Sequence, residues 1–317
     1  MRWPNLSLSV PDAPPAPIHA LRSLAVFAEA PSDEHTRIGA ALGFDVVPSP
    51  AQYSDIFLFQ LYPYGSVYLG PEGMMGGVAR ERIAGFWHAV GLTPPPEPDH
   101  LTGLLGLYAS LVERAERPDE AAGSLGGVEA VGGSEDAESV LADQAARALL
   151  DEHLAPWVFH WLDRVKELTS GTYATWASLL RDVLDDAYRG AATHSSDLQH
   201  LRDAPPLPDP REDGTAEFIK GLLAPVRSGF ILTRADLGEI ARALDLGLRA
   251  GERRYALEHL LAQDPERTLA ALATEARRQA DLHEARASWL GESALFFTAR
   301  ARTTAALCDE LREMEPS

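Results

Sequence analysis

Apolar residues recur along this chain mainly at helical spacing. Leu21, Leu24, Ala25 and Ala28 mark a short amphipathic segment. Ile83, Phe86, Trp87 and Val90 follow the i, i+3, i+4, i+7 pattern that places four side chains on one buried stripe. Leu101, Leu104, Leu105, Tyr108, Leu111 and Val112 repeat it, as do Leu154, Trp157, Val158, Trp161, Leu162 and Val165, and then Trp176, Leu179, Leu180, Val183 and Leu184. Period-two alternation is missing, and Val and Ile are sparse beside Ala and Leu. The pattern predicts an all-α architecture.

Polar and irregular segments divide these helices. Residues 1–17, with Pro11, Pro14, Pro15 and Pro17, predict a flexible Pro-rich tail. Residues 117–139, rich in Gly, Ala, Ser and Glu, predict a mobile acidic loop. Residues 204–214 form a proline-punctuated linker, which sets the boundary between a core at 18–203 and a helical extension at 215–317. The stretch 61–77 is rich in Tyr, Gly and Pro. It predicts an irregular segment too aromatic to be a plain linker. In the extension, Thr233 with Asp236 three residues on predicts an N-terminal cap, and Pro265 predicts the first turn of a long helix. A last helix is expected from Ser293 to Met314.

Charge narrows the classes of partner. The chain has 317 residues, with 47 acidic against 28 basic ones and a formal charge of −19. Nucleic-acid phosphates and anionic membrane surfaces repel such a chain, whereas a cationic partner suits it. The single cysteine, Cys308, excludes an internal disulfide and multi-cysteine metal sites. No stretch reaches the roughly 18 consecutive apolar residues of a membrane span. The first residues lack the apolar core of a secretory signal, so a cytoplasmic location is expected.

Enzyme signatures are sparse. There is no phosphate-binding loop, and the glycines of 123–133 follow no strand pattern, so they make no dinucleotide fingerprint. No Gly-x-Ser-x-Gly elbow occurs. His153 and His160 lie seven residues apart, too far along a helix to share a metal, and His194 and His200 are expected in solvent. Neither a metal nor a cofactor is expected. The pair Asp99 and His100 has the composition of an acid–base couple. Its local reading is a cap: Pro98 breaks the chain, and Asp99 stands ready to cap the helix starting at Leu101. Trp87, Trp157 and Trp161 sit on apolar faces, either as core or as the lining of a peptide groove.

Four pieces in order resemble the TorD/DmsD family of redox-enzyme maturation chaperones. They are an aromatic helix from Tyr53 to Phe59 leading into Tyr62-Pro63-Tyr64-Gly65-Ser66-Val67-Tyr68; the helix 83–92 with Phe86 and Trp87; Glu97-Pro98-Asp99-His100-Leu101; and His153-Leu154-Ala155-Pro156-Trp157. The resemblance covers residues 18–200. It departs from the compact family pattern in the long loop at 117–139 and in everything after 214. It implies a TorD-like helical bundle carrying an additional C-terminal helical region. It also implies a job: binding the twin-arginine signal peptide and apo-form of a molybdopterin oxidoreductase catalytic subunit in the cytoplasm, so that cofactor insertion precedes export. By the same resemblance, Glu97, Pro98, Asp99 and His100 form a signal-binding hinge, with Tyr64, Ser66 and Trp87 in its wall. Tyr62, Tyr68, His153, Pro156 and Trp157 support it. The implied protein is not an enzyme and does not insert into a membrane; its charge argues against nucleic acid, and the long loop at 117–139 permits a monomer or a domain-swapped dimer. The alternatives are a small all-α enzyme using Asp99 and His100, and a generic helical scaffold.

Overall fold

The computed structural model describes residues 17–116, 135–191, 198–248 and 251–313. The Pro-rich tail before Pro17, most of the expected loop at 117–139, and His194 lie outside them. Among the described residues every regular element is helical. The one strand-like pairing is an isolated antiparallel bridge between Tyr64 and His100.

The chain enters through α1 (Pro17–Ala25), a 3-10 turn (Val26–Ala28) and α2 (Asp33–Ala41). Next, α3 (Pro50–Tyr53) runs into a π turn (Ser54–Leu58). Then come α4 (Gly65–Leu69), α5 (Gly77–Ala89) and α6 (Leu101–Glu116). Helix α7 (Glu135–Ala148) passes through a second π turn (Leu149–Leu154) into α8 (Ala155–Leu168), which α9 (Thr172–Gly190) and α10 (Gln199–Arg202) follow. Beyond the linker lie α11 (Thr215–Leu222), α12 (Pro225–Ser228), α13 (Arg234–Leu244), α14 (Arg253–Gln263), α15 (Pro265–Glu284), α16 (Ala287–Leu290) and α17 (Glu292–Glu313).

Two boundaries differ from the sequence expectation. Residues 135–139, assigned to the acidic loop, are the first turns of α7, because Val140, Ala142 and Ala146 extend the helical pattern backwards over a polar start. Within 61–77, residues 65–69 form the short helix α4, every residue of which is buried. The caps of the extension agree with expectation. Thr233 and Asp236 form a reciprocal box, with Thr233 N–H donating to Asp236 Oδ2 at 2.7 Å and Asp236 N–H to Thr233 Oγ1 at 3.2 Å. Pro265 opens α15, where its missing N–H costs nothing.

Helix α8 is the axis of the core. Trp157, Val158, Trp161, Leu162 and Val165 are all at most 1% exposed. The Trp161 ring stacks on Phe57 at 5.6 Å and meets Trp176 edge-on at 6.0 Å. Trp157 and Trp161 are therefore packing residues and do not line an open groove. Each such buried side chain contributes about 1.5–3 kcal/mol relative to exposure.

The extension packs directly onto this core. Val226, Ile231, Leu290, Ala294 and Phe297 belong to the same apolar cluster as Trp157, while Leu257, Leu260, Leu272 and Cys308 form a second one. Gly229 sits at the crossing of α12 and α17 with φ of 82°, where a Cβ would meet the Ala301 nitrogen at 2.1 Å. Only glycine satisfies both the backbone angle and that approach. A polar seam runs beside the apolar contact. Arg164, 3% exposed, bonds to Asp236 at 2.5 Å and also to Glu167. Gln279 Oε1 accepts Ile231 N–H at 2.9 Å and lies 2.8 Å from His160 Nε2.

Candidate functional site

Two proline-bearing loops, one before α4 and one before α6, are locked to each other. Leu101 N–H donates to Pro63 O at 2.8 Å, and Gly65 N–H donates to Asp99 O at 2.9 Å. These two bonds make the Tyr64–His100 bridge. Proline supplies no N–H, so both loops rely on neighbours for their pairing. Trp87 Nε1–H donates to Pro98 O at 3.1 Å, and Arg80 donates to Pro96 O at 3.0 Å. Helix α5 thereby holds the 96–98 backbone.

Asp99 faces inward. It is 2% exposed, and its Oδ2 accepts Ser66 N–H at 3.1 Å. It therefore caps α4 across the loop pair, and not the helix that follows it in sequence. Ser66 is fully buried, and its Oγ accepts Gly76 N–H at 3.1 Å. His100 takes the capping place at α6, where its Nδ1 accepts Thr102 N–H at 3.3 Å. Burial lowers the His100 pKa, against the pull of Glu29, Glu97 and Asp99, so the ring is neutral with its proton on Nε2. Asp99 and His100 thus turn to separate backbone groups and form no acid–base couple.

Other side chains face outward. Tyr64 is half-buried, its hydroxyl donates to Glu97 Oε2 at 2.9 Å, and its ring meets His100 edge-on at 4.8 Å. Burial and then the bond to Glu97 raise the Tyr64 pKa, which keeps the phenol a donor. Glu97 is exposed and Trp87 half-buried. Pro98 is buried.

The supporting residues stand behind the loop pair. Tyr68 lies flat on Trp157 with ring centroids 5.1 Å apart, and its hydroxyl donates to Tyr62 O at 2.8 Å. Trp157 Nε1–H donates to His153 O at 2.8 Å, and Pro156 sits in the first turn of α8. His153 Nδ1 is 2.9 Å from His200 Nε2. His200 is only 3% exposed, which corrects its expected place in solvent: α10 folds back and inserts it beside His153. Burial pushes His153 down to about 4 and His200 to about 3. The sequence carried no signal for Glu29, which follows the 3-10 turn and opposes the lowering of the His100 pKa.

This is a surface that presents Tyr64, Trp87 and Glu97. Cavities of about 310 and 350 Å³ lie elsewhere, one beside Leu201 and Phe296, the other beside Val112 and Val140. Among the described residues no group of three or more His, Cys, Asp or Glu side chains is placed to hold a metal ion, and no helix is long and apolar enough to cross a membrane.

Fold and site together define an all-helical bundle with an acidic, aromatic presenting edge. Residues 50–163, which carry that edge, match the family described as nitrate reductase delta subunit. This is a family of molybdoenzyme maturation chaperones, in agreement with the resemblance to the TorD/DmsD proteins. No curated protein and no solved structure matches the chain.

Proposed function

We propose that this protein is a cytoplasmic chaperone that binds the twin-arginine signal peptide and the apo-form of a molybdopterin oxidoreductase catalytic subunit, so that the cofactor is inserted before export. The family match supports the client class. The observation that carries the peptide reading is Glu97: an exposed carboxylate, held in place by the Tyr64 hydroxyl, at the edge of a half-buried Trp87. A guanidinium meets a carboxylate with direction and charge, and an apolar segment following it finds aromatic surface.

In this reading the residues of the hinge divide their work. Tyr64, Trp87 and Glu97 touch the peptide. Ser66, Pro98 and Asp99 hold the two loops in register, and His100 does both. Tyr62, Tyr68, His153, Pro156 and Trp157 keep the loops seated on α8.

Titration calorimetry with a synthetic twin-arginine leader tests the reading. The full chain is expected to bind one leader per molecule. Glu97→Gln is expected to weaken binding about tenfold, the worth of one charge-assisted hydrogen bond. Absence of heat with leaders from several molybdoenzymes, and with an apo-enzyme, would overturn it.

A further inference from the structure

The turn between α4 and α5 holds two methionines out in water. Met74 is 64% exposed and Met75 56%, and Val78, in the first turn of α5, is 62% exposed. The backbone around them is fixed. Gly73 N–H donates to Gly70 O at 3.1 Å, and Gly76 N–H donates to Ser66 Oγ at 3.1 Å. Gly73 has φ of 62° and seats the turn on the extension, where a Cβ would meet Leu223 O at 2.6 Å. Gly76 and Gly77 have φ of 97° and 68°. A turn anchored in this way keeps its apolar side chains outside, and neighbouring apolar groups on a surface mark a point of contact.

The turn is tied to the presenting edge from both sides. On the α4 side, Ser66 gives its N–H to Asp99 Oδ2 and accepts Gly76 N–H. On the α5 side, Arg80 donates to Pro96 O and Trp87 to Pro98 O, one on each side of Glu97. Among the described residues, accessible sulfur is confined to this turn. Met74 and Met75 are the two methionines there. Cys308 is fully buried, and burial and then Asp309 push its thiol up to about 12, so it offers an oxidant no thiolate. A thioether has no proton to lose, so exposure decides its access to an oxidant.

We propose that Met74 and Met75 form a reversible oxidation site at which a hydroperoxide weakens leader binding. The inference rests on the leader-binding reading and supplies a regulation for it. In the step, a thioether sulfur attacks one oxygen of hydrogen peroxide. An S–O bond forms and the O–O bond breaks. The proton of the attacked oxygen goes to the leaving hydroxide, which departs as water. Sulfur loses two electrons and the peroxide gains them. The sulfoxide is polar where the thioether was apolar, so an apolar stretch of peptide running from the Trp87 edge over the turn loses its contact. A methionine sulfoxide reductase with a dithiol reverses the step: the sulfoxide oxygen leaves as water and the dithiol becomes a disulfide.

Treatment of the full chain with hydrogen peroxide at neutral pH tests it, read by peptide mass spectrometry and by titration with a twin-arginine leader before and after. Met74 and Met75 are each expected to gain one oxygen and Cys308 none, with circular dichroism unchanged because both methionines are exposed. Leader affinity is expected to fall about tenfold, the order of one lost methionine contact, and to return after methionine sulfoxide reductases of both epimer specificities have acted. The double variant Met74→Leu, Met75→Leu is expected to bind the leader as untreated wild type does and to keep that affinity through peroxide. It retains Met1 and Met314, so it isolates the pair. If both sulfoxides form and affinity is unchanged, or if peroxide weakens the double variant as it does wild type, the switch is wrong and leader binding stands. If untreated wild type binds no leader, leader binding falls and the switch with it.

Discussion

Asp99 shows how a residue can be required at a binding edge without touching what binds. Its carboxylate is buried on Ser66 N–H, 33 positions earlier, and Ser66 in turn holds Gly76. Replacing Asp99 with alanine removes the acceptor and leaves a buried N–H unsatisfied, which costs about 1–3 kcal/mol. Asp99→Asn keeps an acceptor oxygen of the same shape and is expected to cost less than half as much. Urea midpoints for the two variants check this. Equal losses would mean that the charge, and not the hydrogen bond, is what matters. Glu97, Pro98, Asp99 and His100 were legible in sequence as a group and as a break before a helix. What each side chain faces was not legible, because the partners Pro63, Gly65 and Ser66 come from a loop more than 30 residues away. Glu29 left no trace at all: an isolated acid after a short turn has no local pattern.

At the scale of elements, α10 makes the least expected contact. Four residues long, it delivers His200 into the space beside His153, where Phe86 closes a third side with ring centroids 5.1 Å from His153. Two imidazoles in hydrogen-bond contact are stable only while at least one is neutral. Both are held below the ordinary value of 6.5, His153 at about 4 and His200 at about 3, mainly by burial and then by Arg82 for His153 and by His153 and Arg82 for His200; Asp203 opposes the shift at His200. The sign follows. Unfolded histidines take up protons near 6.5, and the folded ones resist. The contribution of the pair is full above 6.5 and is lost as the pH falls through about 4 and about 3. His283, held at about 4 by burial against His160, adds to the same slope. Unfolding free energy measured from pH 7.5 down to 4 is therefore expected to fall steadily. His200→Gln is expected to flatten that slope and to leave the pH 7.5 value less affected. The helices on which these residues ride were legible from apolar spacing. The inward turn of His200 was not, since a short polar helix beside an acidic stretch reads as surface.

For the whole molecule the question is whether the core and the extension are separable. A proline-rich linker at 204–214 reads as a joint between independent parts. The linker is itself anchored: Arg300 donates to Ala204 O at 2.7 Å, and Arg227 Nε and Nη2 donate to Pro206 O at 3.1 and 3.0 Å. The apolar cluster around Trp157 includes Ile231 and Phe297 from the extension. Arg164, in the middle of α8, is 3% exposed because α13 and α15 cover it, and one of its carboxylate partners, Asp236, comes from the extension. Cutting the chain after 214 would uncover this apolar face and leave Arg164 with Glu167 alone. The fragment 1–214 is expected to melt well below the full chain or to aggregate, as seen by differential scanning calorimetry and light scattering. Arg164→Ala in the full chain isolates the polar part of the same effect. It leaves Asp236 with only its Thr233 donors, while Glu167 keeps Arg278, so the loss is expected toward the lower end of the about 3–5 kcal/mol that breaking a buried pair costs. Arg164→Met fills the volume but also leaves Asp236 without a cation, so it is expected to be nearly as damaging. Combined with Asp236→Asn, which keeps an acceptor oxygen for Thr233 N–H, it is expected to recover stability, because the uncompensated charge is gone while the cap remains. Recovery in the double variant would identify packing against α8 as the main hold on the extension. Failure to recover would place that hold in the charged seam that Arg164, Glu167 and Arg278 form across the two regions.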